Sequence, residues 1–213
     1  MQPGEQVIAL AGNLAAGKST LASLVGVELG ARVFPESTGD NPFLGRFYQD
    51  RTTWALHLET YFIARRSRQL LDASHAGVRA ILDRSFYESR LFIESGRDSR
   101  LISPESYAIL NELEGTLDSV LPRPAVLVYL HSPVQVLLDR LRARARPYEG
   151  SVDFSYLSNL QVRYDNWVDA YDYSPVLRVD TSEHDFQQDP AAVKDLAGRI
   201  ERELARTPRR STR

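Results

Sequence analysis

Five short apolar runs recur along the chain, separated by longer segments in which apolar residues return every three or four positions. The runs are Val7–Ala11, Arg32–Phe34, Val78–Leu82, Ala125–Leu130 and Val176–Val179. Runs of this length between polar or turn-forming residues are typical of buried strands in a parallel sheet. Their alternation with helical segments predicts an α/β fold with a doubly wound, five-stranded parallel sheet and helices on both faces.

Six segments carry the helical periodicity, and several of them begin with a proline or a capping residue. They are Ser19–Leu29, Thr53–Ala73, Pro104–Leu121, Pro133–Ala145, Phe154–Ala170 and Pro190–Ala205. We expect a single domain over residues 1–206. Residues 207–213, TPRRSTR, have no apolar anchor, so we expect a flexible tail there.

A glycine-rich segment follows the first predicted strand and fits the pattern GxxxxGKS. Gly12 and Gly17 let such a loop curl with its N–H groups inward, Lys18 reaches the terminal phosphates and Ser19 ligates Mg²⁺. The alternative is a tight strand-to-helix connection, but the order of strand, loop and helix favours nucleotide binding. The predicted ATP-binding loop comprises Gly12, Asn13, Leu14, Ala15, Ala16, Gly17, Lys18, Ser19 and Thr20.

Composition limits the class of protein. The 213 residues, 43% of them hydrophobic, suffice for one well-packed domain. The formal net charge of -2 provides no basic surplus, so we expect no nucleic-acid partner. The chain has no cysteine, which excludes disulfides and thiolate chemistry. It shows no run of membrane-spanning length and no signal peptide, so we expect a cytoplasmic protein without a membrane partner.

Two acidic residues directly follow predicted strands, where open parallel sheets place their sites. Glu36 follows the second strand and Asp83 follows the third. A kinase needs a carboxylate near the attacking hydroxyl and another group that organises Mg²⁺. The alternatives stay open: Glu36 could cap a turn, and Asp83 could cap a helix that begins at Ser85.

Arginines are concentrated at the end of the fourth predicted helix, at positions 140, 142, 144 and 146. A solvated basic face is the usual explanation of such a run. In a chain with a phosphate-binding loop, a mobile arginine-rich lid, here about residues 140–152, can instead neutralise charge on the transferred phosphoryl group.

Together these residues resemble the deoxyribonucleoside kinase family, and most of all its bacterial deoxyguanosine and deoxyadenosine kinase branch. The resemblance covers nearly the whole chain. It is carried by GNLAAGKST, Glu36 ahead of NPFL, FYQD, WALHLETYFIARR, DRS at 83–85, RxxxRxRxxE from Arg140 to Glu149, and DF at 185–186.

The resemblance implies transfer of the γ-phosphoryl group of ATP, bound with Mg²⁺, to the 5′-hydroxyl of a deoxyribonucleoside. Glu36 is then the base that accepts the hydroxyl proton, and Arg84 holds that carboxylate and the incoming phosphate in line. Asp83 is implied to organise Mg²⁺ together with Ser19, and Lys18 to act on the phosphates.

The resemblance also implies contacts at both ends of the site. Tyr48 and Glu149 are implied to bind the 3′-hydroxyl and to exclude a 2′-hydroxyl. The implied donor side consists of Arg140, Arg144, Arg146, Asp185 and Phe186. A homodimer and feedback inhibition by the end-product triphosphate are implied as well.

One position departs from the family, which usually has a glutamine where Glu59 stands. An ionised carboxylate offers only acceptors, and guanine alone presents two adjacent donors, N1–H and the N2 amino group. Adenine would turn its N1 lone pair toward the carboxylate, a buried mismatch that costs roughly 1–3 kcal/mol or more. Glu59 therefore favours deoxyguanosine.

Three further residues are candidates for the base site. Arg66 lies two turns after Glu59 on the same helix face and could donate to guanine O6 or N7. The family often has an acid where Ser89 stands, so Arg66 could instead neutralise Glu59, and both alternatives stay open. Phe86, close to the end of the third strand, is our candidate for stacking on the base.

Other functions fit parts of the pattern. A deoxyadenosine or broader deoxynucleoside kinase differs only in base preference. A nucleoside monophosphate kinase would need extra basic residues at the acceptor, where Glu36 would repel its phosphate. A regulator that binds ATP without using it would not need Glu36, Asp83 and the lid arginines.

Overall fold

The computed structural model describes residues 6–36, 40–146 and 152–206. Its strands form a five-stranded, fully parallel sheet in the order β2-β3-β1-β4-β5. The strands are β1 (Val7–Gly12), β2 (Arg32–Phe34), β3 (Ala80–Asp83), β4 (Val126–His131) and β5 (Val176–Asp180). The predicted doubly wound α/β architecture is confirmed, with strand bounds shifted by at most two residues.

The helices that connect the strands include the six that the periodicity predicts. The α-helices are α1 (Lys18–Glu28), α2 (Leu44–Gln49), α3 (Arg51–Ser74), α4 (Ser89–Asp98), α5 (Pro104–Val120), α6 (Val134–Arg144), α7 (Phe154–Asp169) and α8 (Pro190–Arg206). A short 3-10 helix, Phe86–Glu88, precedes α4. Helices α2 and α4 are absent from the sequence-based prediction.

The pattern of buried positions in helix α4 explains why the sequence did not predict this helix. Positions 89, 91, 93 and 95 are buried and alternate with more exposed ones, because the helix packs against α3, α5 and α7 at once. The apolar residues of this ten-residue helix, Leu91, Phe92 and Ile93, are consecutive and do not return every three or four positions, so the sequence shows no helical repeat there. Helix α2, only six residues long, has no buried residue at all.

The central strand β1 is buried on both faces, and its alternate residues belong to different layers. Ile8 and Leu10 pack with residues of α1, α6 and α8, whereas Ala9 and Ala11 pack with α4 and α7. Each fully buried leucine or isoleucine contributes about 1.5–3 kcal/mol. The two layers therefore fix the orientation of β1, and with it the direction in which the following loop leaves the sheet.

None of the helices in the described ranges combines the length and the apolar character that a membrane span requires.

Candidate active site

A cavity of about 830 Å³ opens beyond the carboxyl ends of the strands. This is where ligands bind in doubly wound sheets, and the volume is within the range usual for small-molecule sites. The predicted site residues that line it are Leu14, Ala15, Ala16, Gly17, Lys18, Ser19, Thr20, Glu36, Tyr48, Glu59, Arg66, Asp83, Arg84, Arg140, Arg144, Arg146, Asp185 and Phe186.

The phosphate-binding loop adopts its curled shape through two glycines in the left-handed half of conformational space. Gly17 has φ 90° and immediately precedes α1, so the first N–H groups of the helix lie at the cavity. Gly12 has φ 148°, and a Cβ there would lie 2.5 Å from the Leu130 carbonyl oxygen. No other residue fits at position 12 without moving β4.

Lys18 lies folded back along the loop. Its Nζ donates to the carbonyl oxygens of Gly12, at 2.7 Å, and of Asn13, at 2.8 Å. Burial and the nearby Arg84 lower the pKa of Lys18 to about 8, although three neighbouring carboxylates raise it. The ammonium group is thus held at the cavity by backbone acceptors that a phosphate can replace.

Asn13 supports the loop from behind. Its Nδ2 donates to the Leu157 carbonyl at 2.9 Å and to Gln161 Oε1 at 3.2 Å, both in α7. The side chain is fully buried. Asn13 and Gly12, both part of the predicted ATP-binding loop, do not line the cavity, and their contact with a nucleotide stays a prediction.

Glu36 is held by two arginines from different elements. Arg66 Nη2 in α3 donates to Glu36 Oε1 at 2.8 Å, and Arg84 Nε, just after β3, lies 3.0 Å from the same oxygen. Both guanidinium groups are almost fully buried, whereas Glu36 keeps 20% of its side chain exposed. The turn that Glu36 could alternatively cap, residues 37–39, lies outside the described residues.

The charge of Glu36 is fixed by this pairing. Burial alone raises the pKa of Glu36, but Arg84, Arg66 and Lys18 together lower the pKa to about 2. The carboxylate therefore stays ionised at every physiological pH. Such a weak base orients a hydroxyl and accepts its proton late, which suits the loose transition state of phosphoryl transfer.

Behind Arg84 lies a buried carboxylate that the sequence analysis did not single out. Glu88 is fully buried, and its Oε2 accepts from Tyr164 Oη at 2.6 Å and from the Gly12 N–H at 3.3 Å. Tyr164 Oη in turn accepts from Arg84 Nη1 at 2.9 Å. This network joins the start of the phosphate loop to the arginine that holds Glu36.

A sequence signal for Glu88 does exist. Ser85 and Glu88 form a capping box at the 3-10 helix, in which Glu88 Oε1 accepts from the Ser85 N–H at 3.0 Å. The spacing S-x-x-E is a signature of such a box. Asp83 is not a helix cap, because it is the last residue of β3 and Ser85 holds the cap position.

One part of the cavity wall consists of Glu59, Phe62 and Arg66 from α3 and Phe92 from α4. The positions 59, 62 and 66 share one helix face. The guanidinium of Arg66 lies 4.7 Å from the centre of the Phe62 ring and 5.6 Å from that of Phe92. The guanidinium of Arg66 therefore lies beside two aromatic rings, and both rings line the same cavity as Glu59.

Two predicted base-site residues lie elsewhere. Phe86 has no exposed surface and packs in the core between the sheet and α3, so its assignment to base stacking is wrong. Ser89 is also buried, does not line the cavity, and accepts from Arg66 Nη1 at 3.3 Å. Phe92, one turn after Ser89 in α4, lines the cavity, whereas Phe86 does not.

Arg66 forms its ion pair with Glu36 rather than with Glu59. Glu59 Oε2 is buried and has no hydrogen-bonding partner among the residues that the structure describes. Burial raises the pKa of Glu59 to about 7, against the opposing effect of Arg66 and Arg84. Of the two alternatives for Arg66, the ion pair with Glu59 is absent, because Arg66 pairs with Glu36, and donation to guanine stays a prediction.

The lid arginines begin at a rigid anchor. Arg140 donates to Thr181 Oγ1 at 2.9 Å and to the Thr181 carbonyl at 2.5 Å, which ties α6 to the end of β5. Arg144 ends α6, and Arg146 follows it at the cavity rim. The rest of the predicted lid up to residue 151, with Glu149, lies outside the described residues.

Oxygen donors for a cation are present beside the phosphate loop. Ser19, in the first turn of α1, and Asp83, at the end of β3, both line the cavity. Within the described ranges, no group of three or more His, Cys, Asp or Glu side chains is arranged to hold a metal. Mg²⁺ does not need one, because phosphate oxygens and waters complete its shell.

Comparisons with known proteins agree with this geometry. A family model described as deoxynucleoside kinase matches residues 8–205. The deoxyadenosine/deoxycytidine kinase of Bacillus subtilis is 30% identical over 201 residues, 93% of each chain. The deoxyguanosine kinase of Lactobacillus acidophilus is 34% identical over 194 residues, 87% of this chain and 85% of that one. In fold, the deoxyadenosine kinase from M. mycoides with bound dATP matches with a TM-score of 0.79 at 22% identity, covering 91% of this chain and 99% of that one.

Proposed function

Because this chain belongs to the deoxynucleoside kinase family, we propose that it phosphorylates deoxyguanosine in preference to other deoxynucleosides, with Glu36 as the general base. Its activity is the ATP-dependent phosphorylation of a deoxynucleoside. The proposal concerns which base it prefers and which residues carry the reaction.

The acceptor end of the proposed mechanism rests on Glu36. A nucleoside with its base between Phe62 and Phe92 would turn its 5′-hydroxyl toward the strand ends, where Glu36 accepts a hydrogen bond. Arg66 and Arg84 keep the carboxylate ionised and fixed in direction. Arg84 remains available to the incoming phosphoryl group through its cavity-lining side.

The donor end rests on the loop and the lid. The N–H groups at the start of α1 and the ammonium of Lys18 bind the phosphates, and Arg144 and Arg146 close over them. Ser19 and Asp83 are the residues that would hold Mg²⁺, which when bound neutralises charge on the phosphate oxygens. Asp185 and Phe186 are proposed to line the donor adenine site.

The observation that carries the base preference is the carboxyl of Glu59. It lines the cavity, and its buried Oε2 lacks a partner among the described residues. In the ionised form it presents two acceptors to the N1–H and N2 amino donors of guanine. Arg66, already paired with Glu36, can extend a further N–H toward guanine O6.

Substrate comparison tests the proposal directly. Each of the four deoxynucleosides is incubated with ATP and Mg²⁺ at pH 8, and the monophosphate formed is quantified to give kcat/KM. We expect deoxyguanosine to have the highest kcat/KM. A preference for deoxyadenosine or a pyrimidine nucleoside at this pH would contradict the assignment of Glu59.

Four further expectations remain part of the proposal. Tyr48, which lines the cavity from α2, would bind the 3′-hydroxyl. Sedimentation velocity tests whether the protein forms a homodimer. Initial rates of phosphorylation with added dGTP test for feedback inhibition by the end-product triphosphate. A cytoplasmic location also stays a prediction.

A further inference from the structure

The carboxyl of Glu59 occupies an unusual position for an acidic group. Its Oε2 is buried at the wall of the cavity, and the described residues provide no hydrogen-bond donor to it. An isolated ionised carboxylate is costly to bury, so such a group either finds a donor or retains its proton. A ligand in the cavity can supply the donor.

The cations nearest to Glu59 are already engaged. Arg66 donates to Glu36 and Ser89, and Arg84 lies between Glu36 and Tyr164. Their positive charges lower the pKa of Glu59, and the negative charge of Glu36 raises it. The effects of the neighbouring charges on the pKa of Glu59 oppose each other, and burial is the largest single effect.

The other elements around Glu59 contribute few groups that titrate near neutral pH. Tyr156 in α7 interacts electrostatically with Glu59 and with Tyr48 in α2, and burial raises the pKa of Tyr156. Helix α4 presents Phe92, which carries no charge. Glu36 stays ionised because its pKa is about 2. With a pKa of about 7, Glu59 thus changes charge between pH 6 and 8.

The two protonation states of a carboxyl recognise different bases. The ionised form has acceptors only, which match the two adjacent donors of guanine. The neutral form has one O–H donor and one acceptor, which match the N1 lone pair and N6 amino group of adenine, or N3 and N4 of cytosine. A mismatch in either direction leaves a buried polar group unpaired.

We propose that the protonation state of Glu59 selects the base: the ionised carboxylate accepts deoxyguanosine, and the neutral carboxylic acid accepts deoxyadenosine and deoxycytidine. The proposal rests on the proposed function, because it concerns the same cavity and the same reaction. It makes the substrate range of one enzyme depend on a single proton.

The test is the ratio of kcat/KM for deoxyguanosine to kcat/KM for deoxyadenosine, measured with the wild-type protein and Mg-ATP from pH 6 to pH 8. The two productive complexes differ by one proton on Glu59, so the ratio rises about tenfold per pH unit. Titration of Lys18, or of ATP itself, affects both substrates and cancels in the ratio.

Two variants serve as controls. Glu59→Gln presents a fixed donor and acceptor, so its ratio stays constant across this range and favours deoxyadenosine. Glu112→Gln removes a carboxyl from the exposed side of α5, outside the cavity, and keeps the wild-type dependence on pH. A wild-type ratio that does not change with pH, while both nucleosides are phosphorylated, overturns the inference and leaves the kinase function standing. Absence of any monophosphate at every pH contradicts the proposed function instead.

A binding measurement follows the same proton without turnover. Isothermal titration of the wild-type protein at pH 7.5, in buffers of different ionisation enthalpy, should show proton uptake with deoxyadenosine and little with deoxyguanosine. At pH 6.5, deoxyguanosine should instead release a proton. Equal proton exchange for the two nucleosides overturns the inference even if Glu59→Gln fails to fold.

Discussion

At the scale of single residues, the central arrangement is one carboxylate held by two guanidinium groups. Arg66 Nη2 and Arg84 Nε lie 2.8 Å and 3.0 Å from Glu36 Oε1, so the charge and the orientation of this carboxylate are fixed before substrate binds. Arg84 adopts φ 79°, a left-handed conformation that costs a non-glycine residue of order 1 kcal/mol. The ion pairs compensate this strain and place the guanidinium over the site.

Replacement of Glu36 by glutamine separates base catalysis from nucleotide binding. Because Glu36→Gln removes the proton acceptor but keeps the size of the side chain, kcat should fall by about 10²–10⁴-fold. The affinity for Mg-ATP should change little, since the loop and lid bind it. Single-turnover kinetics and ATP titration measure the two effects, and near-normal turnover would remove Glu36 from the mechanism.

Sequence reasoning identified most of the charged site residues because their types and spacings carry chemistry. It could not locate Phe92 or exclude Phe86, since both follow the same DRS motif and only the path of the chain after β3 separates them. The DRS segment turns into a 3-10 helix that directs Phe86 inward, and α4 then brings Phe92 to the cavity.

At the scale of elements, the buried Glu88 joins β1, the 3-10 helix and α7. Its carboxylate accepts from the Gly12 N–H, the Ser85 N–H and Tyr164 Oη. These contacts link the loop that binds phosphate to the arginine that orients Glu36. No local sequence pattern reveals that link, because residues 12, 88 and 164 are far apart in the chain.

Loss of this carboxylate should destabilise the protein strongly. Glu88→Ala leaves three donors and part of the Arg84 charge unsatisfied, and we expect the free energy of unfolding to fall by about 3–5 kcal/mol. Tyr164→Phe removes one hydroxyl and should cost about 1–3 kcal/mol. Urea unfolding of both variants tests whether Glu88→Ala loses more stability than Tyr164→Phe. A Glu88→Ala variant as stable as wild type would contradict this prediction.

At the scale of the whole molecule, the order of strands brings separate parts of the chain to one edge. β1 lies between β3 and β4, with Leu10 paired to Asp83 and to Val128. The phosphate loop therefore leaves the sheet beside Asp83 and Arg84. The sequence predicted the parallel sheet and this edge, but neither the strand order nor the helices α2, which is only six residues long, and α4, whose apolar residues are consecutive.

Two partly buried carboxyls, those of Glu36 and Glu59, give the free protein a characteristic dependence of stability on pH. Folding raises the pKa of Glu59 from its usual 4.5 to about 7, so the stability that this group contributes below pH 4.5 is lost as pH rises toward 7. The pKa of Glu36 is lowered to about 2, so its contribution is lost only as pH falls below 4.5. The two effects occupy separate ranges of pH.

Unfolding of wild type and Glu59→Gln at pH 5, 6, 7 and 8 isolates the Glu59 contribution. The free energy of unfolding of wild type relative to the variant should fall by on the order of 3 kcal/mol across this range. A difference that is the same at every pH would show that Glu59 titrates normally in the folded protein.

Base preference at one fixed pH decides whether the carboxyl of Glu59 recognises the base in this deoxynucleoside kinase. At pH 8, where Glu59 is ionised, kcat/KM is measured for deoxyguanosine and deoxyadenosine with wild type and with Glu59→Gln. We predict that wild type prefers deoxyguanosine and that the variant prefers deoxyadenosine. A wild-type preference for deoxyadenosine, or an unchanged preference in the variant, would contradict the account.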